Sequence, residues 1–236
     1  MERLLNQLVE RLTKAYGERL KSVILYGSAA AGEYQGKFSD LNVLCVLREV
    51  TPRELADSGA IVRWWREQGS PAPLMLSEEE VQDSADCFPI EFYDIRERRR
   101  VLYGADLIAG VKIDNCFYRA QVEHDLRAKL LRLRQKAAGV LSDPDLLRRL
   151  LADSVSTFCV LFRHALILAG AEAKFEKRQV VDQAHERFGL DPAPFQKLLD
   201  LREGKIKPRE LDPGALLGEY MKQIQTAIDA VDVMEK

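Results

Sequence analysis

Between Ser22 and Leu47 the chain reads SVILYGSAAAGEYQGKFSDLNVLCVL, and this stretch limits the folds open to it more than any other. Two apolar runs, Ser22 to Tyr26 and Ser39 to Leu47, flank a Gly27-Ser28 pair. The second run is apolar on both faces, as expected of a central strand covered on two sides. Gly27-Ser28 predicts a turn leading into a short helix. Residues two apart on a strand share a face, so Asp40 and Asn42 are expected to point together toward whatever lies beside Gly27 and Ser28. A glycine lets backbone amides approach a phosphate closely, a serine adds a hydroxyl, and carboxylate and amide oxygens suit a hard divalent cation. The stretch therefore reads as a layout for phosphate and metal.

The flanking sequence supplies layers for such strands. Leu4, Leu5, Leu8, Val9 and Leu12 recur at helical spacing, with Gly17 as a stop signal. Thr51-Pro52-Arg53-Glu54 combines a Thr cap, Pro at the first helical position and Glu three residues after the cap. The helix that follows carries Trp64 and Trp65, at least one of which is expected to cover a domain or subunit contact. Pro73 to Leu76 predicts another strand, and Ser77 with Glu80 repeats the capping-box pattern. Phe88 to Ile95, FPIEFYDI, reads as a further strand. It sets Glu91 between Ile90 and Phe92, a poor place for a charge without a partner.

After Gly104 the texture changes. From about Asp114 onward only helical patterns appear, about five of them. Asp143-Pro144, Asp191-Pro192 and Asp212-Pro213 predict helix starts, and Gly170, Gly189 and Gly204 predict ends. Leu126, Leu130, Leu133 and Ala137 trace one apolar stripe; Leu147, Leu151, Val155, Phe158 and Phe162 trace another. A chain of 236 residues has room for two modest domains, and the boundary is placed at 1–112 and 113–236.

Bulk properties exclude several function classes. With 35 basic against 37 acidic residues the net charge is −2, which argues against a nucleic-acid coat or a polybasic membrane anchor. Cys45, Cys87, Cys116 and Cys159 lie far apart with no CxxC pair, so neither a zinc site nor a disulfide framework is expected, and the chain reads as cytoplasmic. The first residues are charged and amphipathic, and no window approaches the length of an uninterrupted apolar span, so neither export nor membrane insertion is expected.

Gly27-Ser28, a ten-residue spacer, Ser39-Asp40-Leu41-Asn42 and then an acid further on together resemble the polymerase-beta-type nucleotidyltransferase superfamily. Its pattern is GS, a spacer, DxD or DxE, and a third carboxylate. The likeness is greatest to small bacterial nucleotidyltransferase-domain proteins with a helical C-terminal domain. It covers roughly residues 22 to 95, and the runs FPIEFYDIRERRRVLYG and LRAKLLRLRQ are also similar to that group.

The resemblance implies an α+β fold, a mixed sheet flanked by helices, followed by an all-α helical bundle. It implies that Gly27, Ser28 and Ser39 bind the nucleotide, that Asp40, Asn42 and Glu91 hold Mg²⁺, and that Asp40 and Glu91 are catalytic. The substrate implied is an NTP. The acceptor is a hydroxyl on a small molecule, a protein or an RNA, and a homodimer is the oligomer considered. Asn42 departs from the pattern, because an amide keeps an oxygen ligand but removes one negative charge, which weakens divalent-ion binding.

Two readings follow: a nucleotidyltransferase with a degenerate metal site, or a catalytically impaired regulatory or partner-binding module on the same fold. Arg178 and His185 on one helix also loosely resemble the Arg…His signature of HEPN ribonucleases. Arg96, Arg98, Arg99 and Arg100, with Lys129, Arg132, Arg134 and Lys136, offer cations for phosphate or, more simply, solvated faces.

Overall fold

The computed structural model describes residues 1–32, 41–113 and 117–234. The chain divides into two compact units, Met1–Asn115 and Cys116–Lys236.

The first unit is built on a mixed four-stranded sheet in the order β3-β2-β1-β4. Its strands are β1 (Leu20–Tyr26), β2 (Asn42–Leu47), β3 (Leu74–Ser77) and β4 (Arg99–Gly104). β1 runs antiparallel to both β2 and β4, while β2 and β3 are parallel. The two central strands bury both faces, as their unbroken apolar runs require. Val23, Leu25, Val43, Cys45 and Leu47 face one core, covered by Leu5, Leu8 and Leu12 of α1 (Glu2–Tyr16) and by Ile61 and Trp65 of α2 (Pro52–Glu67). Ile24, Leu44 and Val46 face the other, covered by Val81 of α3 (Glu78–Asp83) and by Phe92 and Ile95 of α4 (Pro89–Glu97). Trp65 is fully buried, and half-buried Trp64 is covered within the same unit by the Arg11 guanidinium, 4.2 Å from its ring.

Both capping boxes form. Ser77 Oγ accepts from the Glu80 amide at 3.0 Å, and Glu80 returns a carboxylate to the Ser77 amide at 2.7 Å. At α2 the Thr51 amide donates to Glu54 at 3.2 Å, and the Thr51 hydroxyl and Arg19 guanidinium also donate to that carboxylate. The Thr51 hydroxyl and then Arg19 hold the Glu54 carboxyl down at about 2 despite its burial. A carboxyl depressed in the fold stabilises it above the unfolded carboxyl's range and loses that contribution as pH falls toward the folded value. Between pH 5 and pH 2 the urea midpoint of the wild-type chain is expected to fall more steeply than that of Glu54→Gln; parallel profiles would refute this.

Beyond the Gly27 turn, one segment departs from the sequence reading. Phe88 to Ile95 is not a strand: Pro89–Glu97 is helix α4. Pro89 sits in its first turn, Phe92 and Ile95 are buried at helical spacing, and Glu91 is exposed rather than trapped between apolar neighbours. The strand comes one element later, at Arg99–Gly104.

The second unit holds five α-helices among the described residues: α5 (Tyr118–Ala138), α6 (Pro144–Leu168), α7 (Lys177–Phe188), α8 (Ala193–Arg202) and α9 (Pro213–Asp232). Asp143 and Asp212 cap α6 and α9 through their carboxylates, and Gly189 ends α7 in the left-handed region. Both predicted stripes are buried. The core is an aromatic cluster in which Phe195 lies 5.1 Å from Phe162 and 5.0 Å from Tyr220, ring to ring, and Phe158 lies 5.7 Å from Tyr220. Among the described residues α6 alone has the length and apolar composition of a membrane span, and much of it is buried inside the protein.

Candidate nucleotide site

β1 ends at Tyr26, and Gly27 turns the chain away from the sheet at φ +80°. The Gly27 amide donates to the Arg98 carbonyl at 2.9 Å, across to the residue joining α4 and β4. The Gly27 carbonyl accepts from the amides of Ala30 and Ala31 at 3.1 and 3.4 Å. Residues 28–32 form turns rather than the expected short helix, so the described residues supply no helix N-terminus here. The amides of Ser28 and Ala29 form no hydrogen bond among the described residues, and the Ser28 side chain is exposed. These are the groups through which such a turn receives an anion.

Directly opposed residues in an antiparallel pair share a face. Tyr26 is paired with Asn42 on β2 and with Arg99 on β4. Three side chains therefore form one row across the end of the sheet, on the face that α4 covers. The Asn42 carboxamide lies against the Gly27 backbone, with Nδ2 3.4 Å from where a Cβ would stand. Tyr26 packs its half-buried ring against the cluster that contains Phe92 and Ile95 of α4. Burial, and then the negative charge of Glu91, raises the Tyr26 phenol above its ordinary value, so the phenol keeps its proton and remains a donor. Glu91 thus stands near this row, in the first turn of α4.

Of the residues expected at the site, Asn42 lies against Gly27, which Ser28 follows, and Glu91 sits on a helix instead of a strand. Ser39 and Asp40 lie outside the described residues. Among the described residues no group of three His, Cys, Asp or Glu side chains could hold a metal ion. Asn42 and Glu91 offer oxygen donors only, which suits a hard cation, but they bring a single formal negative charge.

Several other candidates are occupied structurally. Arg99 is held by Asp106, with Nε and Nη2 2.9–3.0 Å from its carboxylate oxygens, and it also donates to the Arg96 carbonyl. Arg100 pairs with Glu2 at 3.0 Å, and Arg96 lies 4.7 Å over the Tyr93 ring. Arg178 is tied to Gln196, Asp200 and Glu203 at 2.7–2.8 Å, and His185 Nδ1 bonds the Leu190 carbonyl at 2.7 Å. Both ends of the Arg178…His185 pattern therefore hold the bundle together. Lys129, Arg132, Arg134 and Lys136 are exposed on α5.

Sequence reasoning missed two features. One is Tyr26, the residue immediately before Gly27, whose place opposite Asn42 and Arg99 comes from the strand register. The other is a buried hydrogen-bond chain: Arg163 Nη2 lies 3.0 Å from His164 Nε2, and His164 Nδ1 lies 2.5 Å from the Tyr118 hydroxyl. A guanidinium only donates, so Nε2 accepts and Nδ1 carries the proton toward Tyr118. Burial lowers the Arg163 guanidinium to about 10. No local motif announces this chain.

No family model matches the sequence, and no curated protein matches it by sequence. Structural comparison finds a relative. A spectinomycin adenyltransferase from Enterococcus faecialis, crystallised with ATP and spectinomycin, is similar over 95% of this chain and 99% of its own, with a TM-score of 0.62 at 13% identity. The chain has the nucleotidyltransferase fold. Within that fold the polar row of Asn42, Tyr26 and Arg99 lies at the end of the sheet from which the Gly27 turn departs, and a helical unit follows the sheet in sequence.

Proposed function

We propose that this chain binds a nucleoside triphosphate with Mg²⁺ at the Gly27 turn and transfers a nucleoside monophosphate to a hydroxyl acceptor. The observation that carries this is the meeting of Gly27 and Asn42 at the end of β1 and β2, on a nucleotidyltransferase fold. In this reading Gly27, Ser28 and Ser39 receive the phosphates, and Asp40 and Glu91 hold the metal with an oxygen from Asn42. Bound Mg²⁺ would supply charge neutralisation to the triphosphate. The acceptor oxygen bonds to the α-phosphorus, the bond from that phosphorus to the bridging oxygen breaks, and pyrophosphate leaves as the hydroxyl proton is released. These roles are assigned to residues 1–112, with 113–236 as the helical domain, in a cytoplasmic protein.

ATP is the first nucleotide to test, because the structural relative was crystallised with it. Calorimetric titration with Mg·ATP, followed by a pyrophosphate-release assay over small-molecule, protein and RNA hydroxyl acceptors, tests the proposal. Asp40→Ala is expected to abolish release. Asn42→Asp restores a charge and is expected to tighten divalent-ion binding about tenfold, roughly 1.4 kcal/mol. Tight ATP binding that is insensitive to Asp40→Ala and gives no turnover would sink the enzymatic reading. It would favour a second one, motivated by the amide at Asn42: an impaired transferase fold kept as a regulatory or partner-binding module.

A further inference from the structure

We propose that the chain forms a twofold dimer in which the outer edge of β3 pairs antiparallel with the same strand of a second copy and the two α2 helices close over the seam. Neither β3 nor α2 carries a residue of the candidate nucleotide site. The two edges of the sheet, β3 and β4, are built differently. β4 carries Arg99 and Arg100, and its register with β1 shifts between Val23 and Ile24. Charge and irregularity of this kind keep an edge from pairing with another chain. β3 has neither. Leu74, Met75 and Leu76 are apolar, their register with β2 is regular, and among the described residues β2 is their one strand neighbour.

Beside that edge lies a groove of about 460 Å³, lined by Leu55, Ser58, Gly59 and Val62 of α2 and by Leu74 and Met75 of β3. Leu55 is 53% exposed and Leu74 40%. The four helix residues fall at i, i+3, i+4 and i+7, so they form one stripe, with the small Ser58 and Gly59 at its centre and the larger Leu55 and Val62 at its ends. A twofold axis through the centre turns such a stripe onto itself, large residues meeting at the ends while the small pair lets the two helices approach. Four residues of strand are too few to hold two chains together in water, so the stripe must be covered as well. The charges fit the same axis. Because α2 crosses between the parallel strands β2 and β3, its C-terminal end lies beside the start of β3 and its N-terminal end beside the finish. Arg66 extends the stripe at the first of these ends, and Glu79 follows β3 at the second. Both are exposed, and neither is in an ion pair among the described residues. Antiparallel pairing brings each Arg66 to the acidic end of the other copy, whereas parallel pairing would bring like to like.

Sedimentation velocity over about a hundredfold range of protein concentration tests this. The wild-type chain is expected to pass from monomer to dimer as concentration rises, and the deuterium exchange of the Leu74 to Leu76 amides is expected to slow with it. Leu55→Lys is expected to weaken the dimer about tenfold or more and to leave the circular dichroism spectrum unchanged. Gly59→Gln guards against a folding artefact. A Cβ at Gly59 would meet only the Arg63 guanidinium, at 3.5 Å, and Gln is the better helix former. At concentrations where both chains are monomeric its thermal midpoint should be no lower than that of wild type, while its dimer should be weaker. Arg66→Glu is expected to weaken association, and adding Glu79→Arg in the same chain is expected to restore it. A wild-type chain that stays monomeric throughout would overturn the proposal and leave the groove to a strand of another protein. A dimer indifferent to both Leu55→Lys and Gly59→Gln would overturn it equally. A charge swap that restores nothing would overturn the antiparallel arrangement.

Discussion

Gly104→Ala is expected to destabilise the first unit by about 3 kcal/mol or more, or to leave the chain insoluble. Gly104 ends β4 opposite Ser22 at φ +75°, and a Cβ there would stand 2.0 Å from the Lys21 carbonyl oxygen and 3.2 Å from the Ser22 Cα. Both obstacles are backbone, so no side chain can move aside. The glycine permits the close crossing that lets the Ser22 hydroxyl reach the Ala105 carbonyl at 2.7 Å. Two controls separate clash from conformation. Gly69 has φ +84° but open space, so Gly69→Ala should cost only about 1–2 kcal/mol. Gly110 has neither constraint, and Gly110→Ala should fall within about 0.5 kcal/mol of wild type. Urea unfolding followed by tryptophan fluorescence reads this unit, because both tryptophans, Trp64 and Trp65, lie in it. Equal midpoints for the three variants would show that the approach at Gly104 is not a constraint.

In the helical unit the corresponding position is Phe195. It is fully buried and touches Phe162 and Tyr220 with ring centroids about 5 Å away. Truncation would remove contacts to α6 and α9 together and leave a cavity that three helices cannot easily fill. Phe195→Ala should cost about 3–5 kcal/mol, seen as an earlier loss of helical circular dichroism in urea. Phe195→Leu should recover much of it, since it keeps more of the volume. A loss below about 1 kcal/mol would mean that the cluster repacks around the gap.

These positions also mark what could be read from the sequence. Capping boxes are local chemistry, so Thr51 with Glu54 and Ser77 with Glu80 announced their helices directly. The buried stripes of α5 and α6 were legible because one period runs through each for several turns. The layers of strand and helix and the helical unit after them followed from those signals, the mixed sheet was what the family resemblance implied, and the structural likeness bears out that fold. Phe88 to Ile95 misled because Ile90 and Phe92 alternate like a strand, while Pro89 at a helix start and Ile95 three residues past Phe92 favour a helix. β4 was hidden by its arginines, which read as cations for phosphate or, more simply, as a solvated face, and of which Arg99 and Arg100 are strand residues bound to Asp106 and Glu2. At the site, the pairing of Gly27 with Asn42 was legible from strand alternation. The place of Tyr26 was not, because it depends on a register with two other strands. The Arg163–His164–Tyr118 chain joins α6 to α5, and no sequence spacing encodes a contact of that range.

The hydrogen bond from the Gly27 amide to the Arg98 carbonyl has a mechanical consequence. Arg98 is the one residue between the end of α4 and the start of β4. The Gly27 turn and the C-terminal end of α4 are therefore strapped to each other, and neither can swing without straining the strap. Loosening that one bond should free both, so the exchange rates of the Gly27 amide and of the amides in the last turn of α4 with deuterium are expected to change together.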